Sequence, residues 1–180
     1  MDTYIVRAGD SMWRIAAMHQ VGLDELIRAN PQIANPALIF PGQRINIPGG
    51  AEFRDFEREV VRLINVERRQ RGLRELEENW EVSRVARFKS QDMIDNNYFA
   101  HNSPVFGTPF QMLSNFGIAF NAAAENIAHG QRTPREVVTA WMNSPGHRRN
   151  ILDPVFRRIG VGVARNARNG QLFWTQMFVG

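Results

Sequence analysis

The chain has 180 residues, 43% of them hydrophobic and 22% charged, with a formal charge of +4 and no cysteine. That profile belongs to a folded globular chain of one or two domains. It excludes a disulfide scaffold and a thiolate metal site, and with no apolar run of about eighteen residues no membrane-spanning helix is expected.

The charge is uneven. Up to residue 48, Arg7, Arg14, Arg28 and Arg44 cancel Asp2, Asp10, Asp24 and Glu25, so the whole excess lies after Gly50. It includes Arg68, Arg69, Arg71 and Arg74 and the pairs Arg148-Arg149 and Arg157-Arg158. Such groups suit an anionic polymer or an acidic protein face, although Glu67, Glu75, Glu77 and Glu78 are interleaved as on a solvated surface. No DNA-reading motif or stacking platform is present, and nucleic acid is not an expected partner. Met1-Asp2-Thr3 lacks the basic and apolar regions of a secretory signal, so the expectation is a protein made without one, or trimmed of it.

Tyr4-Ile5-Val6 is a short β-prone run broken at Gly9, and Asp10-Ser11 can cap a helix with Met12, Ile15 and Ala16 on one face. A second short helix fits Leu23 to Ala29. Turns follow at Asn35-Pro36 and Pro41-Gly42, and Arg44-Ile45-Asn46-Ile47 alternates as a strand. The sequences YIVRAGDSMWRIA and NPALIFPGQRINIP, with Asn30 between them, resemble a LysM module over residues 2–48. The resemblance implies a βααβ fold that binds N-acetylglucosamine-containing glycans such as peptidoglycan. It places the sugar groove between Gly9, Asp10, Ser11 and Met12 on one loop and Pro36, Ala37, Leu38 and Ile39 on the other. Met12, Leu38 and Ile39 would form an apolar floor for the acetamido methyl, while Ile15 and Leu26 read as core; Met12 and Ile39 fit either role.

Residues 49–52 read as a short linker. From Phe53 a long helix carries Phe53, Phe56, Val60 and Ile64 on one side, with charges opposite, and ends at Arg71-Gly72. A second helix spans Glu81 to about Asn96, with Val82, Val85, Ala86 and Met93 inward. A loop containing His101 follows, and Glu125 then sits in a small, apolar stretch. Thr133 and Pro134 start a third helix, with Glu136 as the returning half of a capping box. Ser144-Pro145-Gly146 stops it, and His147, Arg148, Arg149 and Asn150 come straight after the stop. Ile159–Val163 and Leu172–Phe178 read as buried strands joined by an Asn169-Gly170 turn.

Helices followed by strands predict an α+β arrangement: the small βααβ domain, then a layered domain on an antiparallel sheet. YFAHNSP, AENIA, WMNSPGHRRNIL, IGVGVA and FWTQMF resemble the cysteine-free bacterial branch of the CAP superfamily (cysteine-rich secretory, antigen 5 and pathogenesis-related-1 proteins), over about residues 53–180. The resemblance implies an α-β-α sandwich with a cleft lined by two His and two Glu. His101 matches the first His and Glu125 the first Glu; His147, thirteen positions ahead of Gly160, matches the second His. Ser144 stands where the second Glu is expected, three residues after Trp141, which removes one charge from the cleft.

Three readings of the cleft remain open. His101, His147 and Glu125 suit a divalent metal such as zinc with an open position, which would make a metal-assisted hydrolase of wall or peptide substrate. Ser144 with His147 and Glu125 has the composition of a nucleophilic triad, but Ser-Pro-Gly is more simply a helix terminator and no G-x-S-x-G elbow exists. The third reading is structural: the two imidazoles satisfy a buried Glu125, with no cofactor required. Arg148 is expected to pair an acid and Asn150 to hold a turn. The resulting functional expectation is attachment to peptidoglycan through LysM, delivering the CAP domain to the wall. The opening also resembles that of LysM-containing spore-coat assembly proteins, which implies the spore cortex and coat as location and other coat or wall proteins as partners.

Overall fold

The computed structural model describes residues 2–48 and 53–180. The chain divides into two compact units, Met1–Glu52 and Phe53–Gly180. The expected linker at 49–52 falls outside the described residues.

The first unit runs β1 (Asp2–Ile5), α1 (Met12–Met18), α2 (Leu23–Arg28) and β2 (Arg44–Ile47). Ser11 caps α1 by accepting the Arg14 N–H. At α2, Gly22 occupies the cap position and Glu25 reaches back to the Gly22 N–H. β1 and β2 pair antiparallel with Ile5 opposite Arg44. Just past that pair, Val6 N–H donates to Gln43 O and Gly42 N–H to Val6 O, both at 2.9 Å, which brings the loop after β1 against the loop before β2. Ile15, Leu26, Ile45 and Met12 fill the core beneath. Asn30 is buried and behaves as a third strand toward β2. Its Nδ2 donates to Asn46 O at 2.7 Å and to Leu26 O at 2.8 Å, and its Oδ1 accepts from Asn46 N–H at 2.7 Å. A side-chain amide thus satisfies backbone groups that an edge strand would otherwise leave open.

The second unit runs α3 (Arg54–Arg69), β3 (Glu77–Glu78), α4 (Trp80–Asp95), α5 (Pro109–Asn115), β4 (Ala123–His129), α6 (Pro134–Asn143), α7 (Pro145–Leu152), β5 (Arg158–Arg165) and β6 (Leu172–Val179). The sheet order is β3-β5-β6-β4. Its two long pairings are antiparallel, as expected, while the short β3 adds a parallel edge beside β5. Strand periodicity splits the sheet into two faces. Ile159, Val161 and Val163 of β5 and Trp174 and Phe178 of β6 pack with α3, α6 and α7. Met177 and Val179 of β6 pack with α4 and α5. The result is the α-β-α sandwich.

Glycines set the closest contact in that sandwich. A Cβ on Gly162 would lie 2.0 Å from the Arg87 backbone N, and one on Gly160 would lie 2.3 Å from that of Ser83. The α4 backbone therefore rests directly on β5, which is why this strand reads Ile-Gly-Val-Gly-Val.

The charged side of α3 is not wholly solvated, contrary to its amphipathic reading. Glu57 and Arg68 are buried. Arg68 donates through Nη1 to Ile151 O at 2.8 Å and Asp153 O at 2.9 Å, closing the C-terminal carbonyls of α7. It therefore leaves the basic surface assigned to it from sequence. Glu57 accepts from Arg87 Nη1 at 2.9 Å and from Val163 N–H at 3.2 Å on the outer edge of β5. Burial pushes its carboxyl up to about 7, opposed first by the Arg87 charge.

Candidate functional site

In the first unit the chain beside the two predicted loops is joined at Val6 and Gly42–Gln43, and the loops' side chains divide between outward and scaffold positions. Met12 is 3% exposed and belongs to the core, and Ile39 is half-buried against it. Asp10 spends one carboxylate oxygen on the Arg7 N–H and the Tyr4 hydroxyl, both at 2.8 Å. These contacts, the Arg7 N–H bond first, hold its pKa below the usual carboxylate range. Ser11 is taken up by its cap. Gly9 adopts a left-handed φ of 84°, and its carbonyl accepts from Arg14 Nη1 at 2.9 Å. What faces outward is Leu38, 55% exposed, with Ala37 beside it and Pro36 half-buried. Phe40, 54% exposed on the same loop, was not singled out from sequence. Its signal was present, since an apolar run confined between the Asn35-Pro36 and Pro41-Gly42 turns cannot bury every member.

In the second unit the cleft candidates gather at β4, the edge strand of the sheet. Glu125 points to the α4 face, with its side chain 2% exposed, and its Oε1 lies 2.8 Å from Nδ1 of the half-exposed His101. The hydrogen bond to Glu125 raises the imidazole above its ordinary value, while burial raises the carboxyl. Oε2 of Glu125 is buried and meets no hydrogen-bond partner among the described residues.

His147 is placed differently from its expectation. Ser144 ends α6 and also begins α7, so Ser-Pro-Gly is a junction between two helices and His147 lies in the first turn of the second. Its backbone carbonyl accepts from Asn126 Nδ2 at 3.2 Å. Its ring makes no hydrogen bond to Glu125 among the described residues. Burial, then the neighbouring His101 charge, lowers its pKa. Ser144 makes no side-chain cap bond and no bond to either histidine. The structure thus joins His101 to Glu125 and leaves Ser144 and the His147 ring outside that pair. Among the described residues no group of three or more His, Asp or Glu able to hold a metal ion forms.

Further up α6, Thr133 caps the helix by accepting the Glu136 N–H, but Glu136 returns to the N–H of Arg132 rather than of the cap residue. Asn150 holds the β4 edge, donating to Asn126 Oδ1 at 2.9 Å and Glu125 O at 3.3 Å. The Trp141 indole N–H donates to Ile127 O, two residues along the same edge. Arg148 is exposed and makes no ion pair among the described residues.

The residue that organises this site is Lys89, which the motif reading passed over. It lies on the inward stripe of α4 with Val82, Val85, Ala86 and Met93 and is fully buried. Its Nζ donates to Tyr98 Oη at 2.9 Å, Ala100 O at 2.8 Å and His101 O at 2.7 Å. All three ammonium protons are used. Tyr98 in turn donates to Asp92, whose other oxygen accepts from Asn96 at 2.7 Å. Burial depresses the Lys89 pKa, opposed by Glu125 and Asp92, and burial with the Asp92 bond raises that of Tyr98. Lys89 therefore fixes the backbone that carries His101 over Glu125. A lysine in register with four apolar residues was the sequence signal.

A layered α-β-α sheet with a paired His and Glu at its edge strand defines the class. The chain belongs to the cysteine-rich secretory protein (CAP) family, whose model matches residues 61–178, and a LysM domain matches residues 4–48. Among curated relatives, uncharacterized protein YkwD of Bacillus subtilis is 53% identical over 125 residues, covering 69% of this chain and 47% of that protein. SpoIVD-associated factor A of B. subtilis and spore coat assembly protein ExsA of Bacillus cereus are each 44% identical over 48 residues, 27% of this chain and 12% and 8% of theirs. An extracellular SCP-domain protein from Bacillus anthracis superposes with a TM-score of 0.66 at 32% identity, covering 77% of this chain and 47% of that one. The chain thus spans about half the length of the YkwD protein and of that structure, and much less of the spore proteins. No described helix is long and apolar enough to cross a membrane.

Proposed function

We propose that the LysM unit attaches the chain to peptidoglycan at the spore cortex and coat, and that the CAP unit is the domain delivered there. The observation that carries this is the outward Leu38 on the loop before β2, together with a loop after β1 whose polar groups are locked in place by Arg7, Tyr4 and Arg14. A shallow groove with one apolar contact and fixed backbone suits the methyl and amide of an N-acetyl group. A single site of this area binds weakly, so wall retention relies on many copies of the sugar. The spore setting is supported by the LysM relatives, one of them a spore coat assembly protein. The CAP unit acts in this reading as a rigid passenger, with His101 and Glu125 Oε1 paired.

Co-sedimentation with insoluble peptidoglycan tests the attachment. The full chain is expected in the pellet, and a chain lacking residues 1–48, like Leu38→Asp, at least about tenfold less retained. Equal retention of all three would overturn the reading. A fluorescent fusion in a sporulating host is expected to ring the forespore; signal confined to the vegetative wall would remove the spore assignment.

A further inference from the structure

The geometry points to a second glycan contact on the CAP unit: a pocket between the end of α4, the end of β4 and the β5–β6 hairpin that takes one N-acetylated sugar ring. This inference rests on the wall-binding reading for the source of its ligand.

The cavity measures about 250 Å³. That is below the roughly 300–1,000 Å³ of sites for drug-sized ligands, and so matches a single ring. Its walls are aromatic. Phe99, 45% exposed, stands edge-on to His129 at 4.4 Å and to Phe173 at 6.4 Å, while His129 and Phe173 stack at 22°. Two ring planes therefore meet in a corner, with Phe99 more exposed than Phe173. The rim is amide: Asn97, Asn166 and Gln171. Among the described residues no Asp, Glu, Lys or Arg lines the pocket. A neutral ligand with an apolar C–H face and a hydroxyl and acetamido edge fits that combination, whereas an ion would find no countercharge.

The pocket is also rigid. Asn97 closes α4 in the left-handed conformation, with its own N–H on Ile94 O and that of Tyr98 on Met93 O. Lys89 grips Ala100 O and His101 O on the other side. Phe99 is thus held between two fixed points, and Gln171 is tied to His129 at 2.8 Å. Preorganised walls lose little entropy on binding. Glu125 lies four residues, about 13 Å, back along β4, so the pocket is a place apart from the His101–Glu125 pair.

The test is a titration of the isotope-labelled full chain with the β-1,4-linked tetramer of N-acetylglucosamine, followed by backbone amide shifts. Saturable shifts are expected at Phe99, Asn166 and Gln171 as well as in the LysM loops. Phe99→Ala, at a half-exposed position, and Gln171→Ala should each weaken the pocket response, Phe99→Ala by about tenfold, and leave the loop response unchanged. Shifts confined to the LysM loops, a pocket response that survives both substitutions, or a response to the free stem peptide but not to the tetramer would overturn the inference. Pocket shifts without loop shifts would instead sink LysM attachment and leave the pocket standing.

Discussion

Replacing Lys89 by Met keeps the length and apolar stem of the side chain and removes its three hydrogen bonds. Those bonds run from a fully buried ammonium to Tyr98 Oη, Ala100 O and His101 O at 2.7–2.9 Å. Hydrogen bonds from a charged group contribute about 1.5–3 kcal/mol each, and part of that sum is offset because the ammonium no longer has to be desolvated. Breaking one side of a buried charged cluster costs about 3–5 kcal/mol, since Tyr98 Oη and two carbonyls lose their donor and Asp92 loses a neighbouring positive charge. We expect destabilisation of that order, a fall in Tm of about 10–20 °C for a unit of this size. Denaturant unfolding at pH 7 measures it. A second readout follows His101: once Ala100 and His101 are no longer gripped, the imidazole leaves Glu125 and its titration moves down toward the ordinary value. A midpoint within about 0.5 kcal/mol of the parent, with His101 titrating as before, would refute the assignment of Lys89 as the positioning residue.

Three further outcomes are expected. Gly162→Ala places a Cβ 2.0 Å from the Arg87 backbone N and should destabilise the CAP unit by at least about 3 kcal/mol, seen as a lower denaturant midpoint; a neutral effect would mean that α4 does not rest on β5 as described. Asn30→Ala leaves Leu26 O and both backbone groups of Asn46 without their partner, so the Asn46 amide should lose its protection from hydrogen exchange and the LysM unit about 2–4 kcal/mol; retained protection would count against the amide clamp. For the cleft, His101 and Glu125 both have folded-state pKa values above their ordinary ones, so the folded protein holds more protons than the unfolded chain. Their contribution is therefore fully present at low pH and is lost as pH rises past 4.5 for Glu125 and past 6.5 for His101. The stability difference between the parent and Glu125→Gln should shift against the parent from pH 5 to pH 8, and a flat difference would refute the sign.

Much of this protein was legible in its chain. Turn and cap chemistry is local, so Ser11, Pro41-Gly42, Thr133-Pro134 and Asn169-Gly170 announced the ends of elements without reference to distant residues. The Gly-x-Gly of β5 and the apolar runs on either side of Thr175-Gln176 in β6 announced strands buried on both faces, and the motifs placed His101 and Glu125 together. What local pattern could not settle was where polar side chains go when both sides of an element are covered. Glu57 and Arg68 looked like the wet face of α3 and are buried, because helices and strands far away in sequence bring Val163, Arg87 and the end of α7 against them. Met12 could have been groove or core, and only the closure of β1 on β2 put it inside. Ser144 marked a break, but whether the chain beyond it continued as loop or helix depended on packing Ile151 into the core. The contact made by His147 was likewise decided by tertiary structure, which brought Asn126 to its backbone carbonyl. Caps and periodicity are set by neighbours a few residues apart, whereas the burial of a charge is decided by whichever distant backbone arrives to satisfy it.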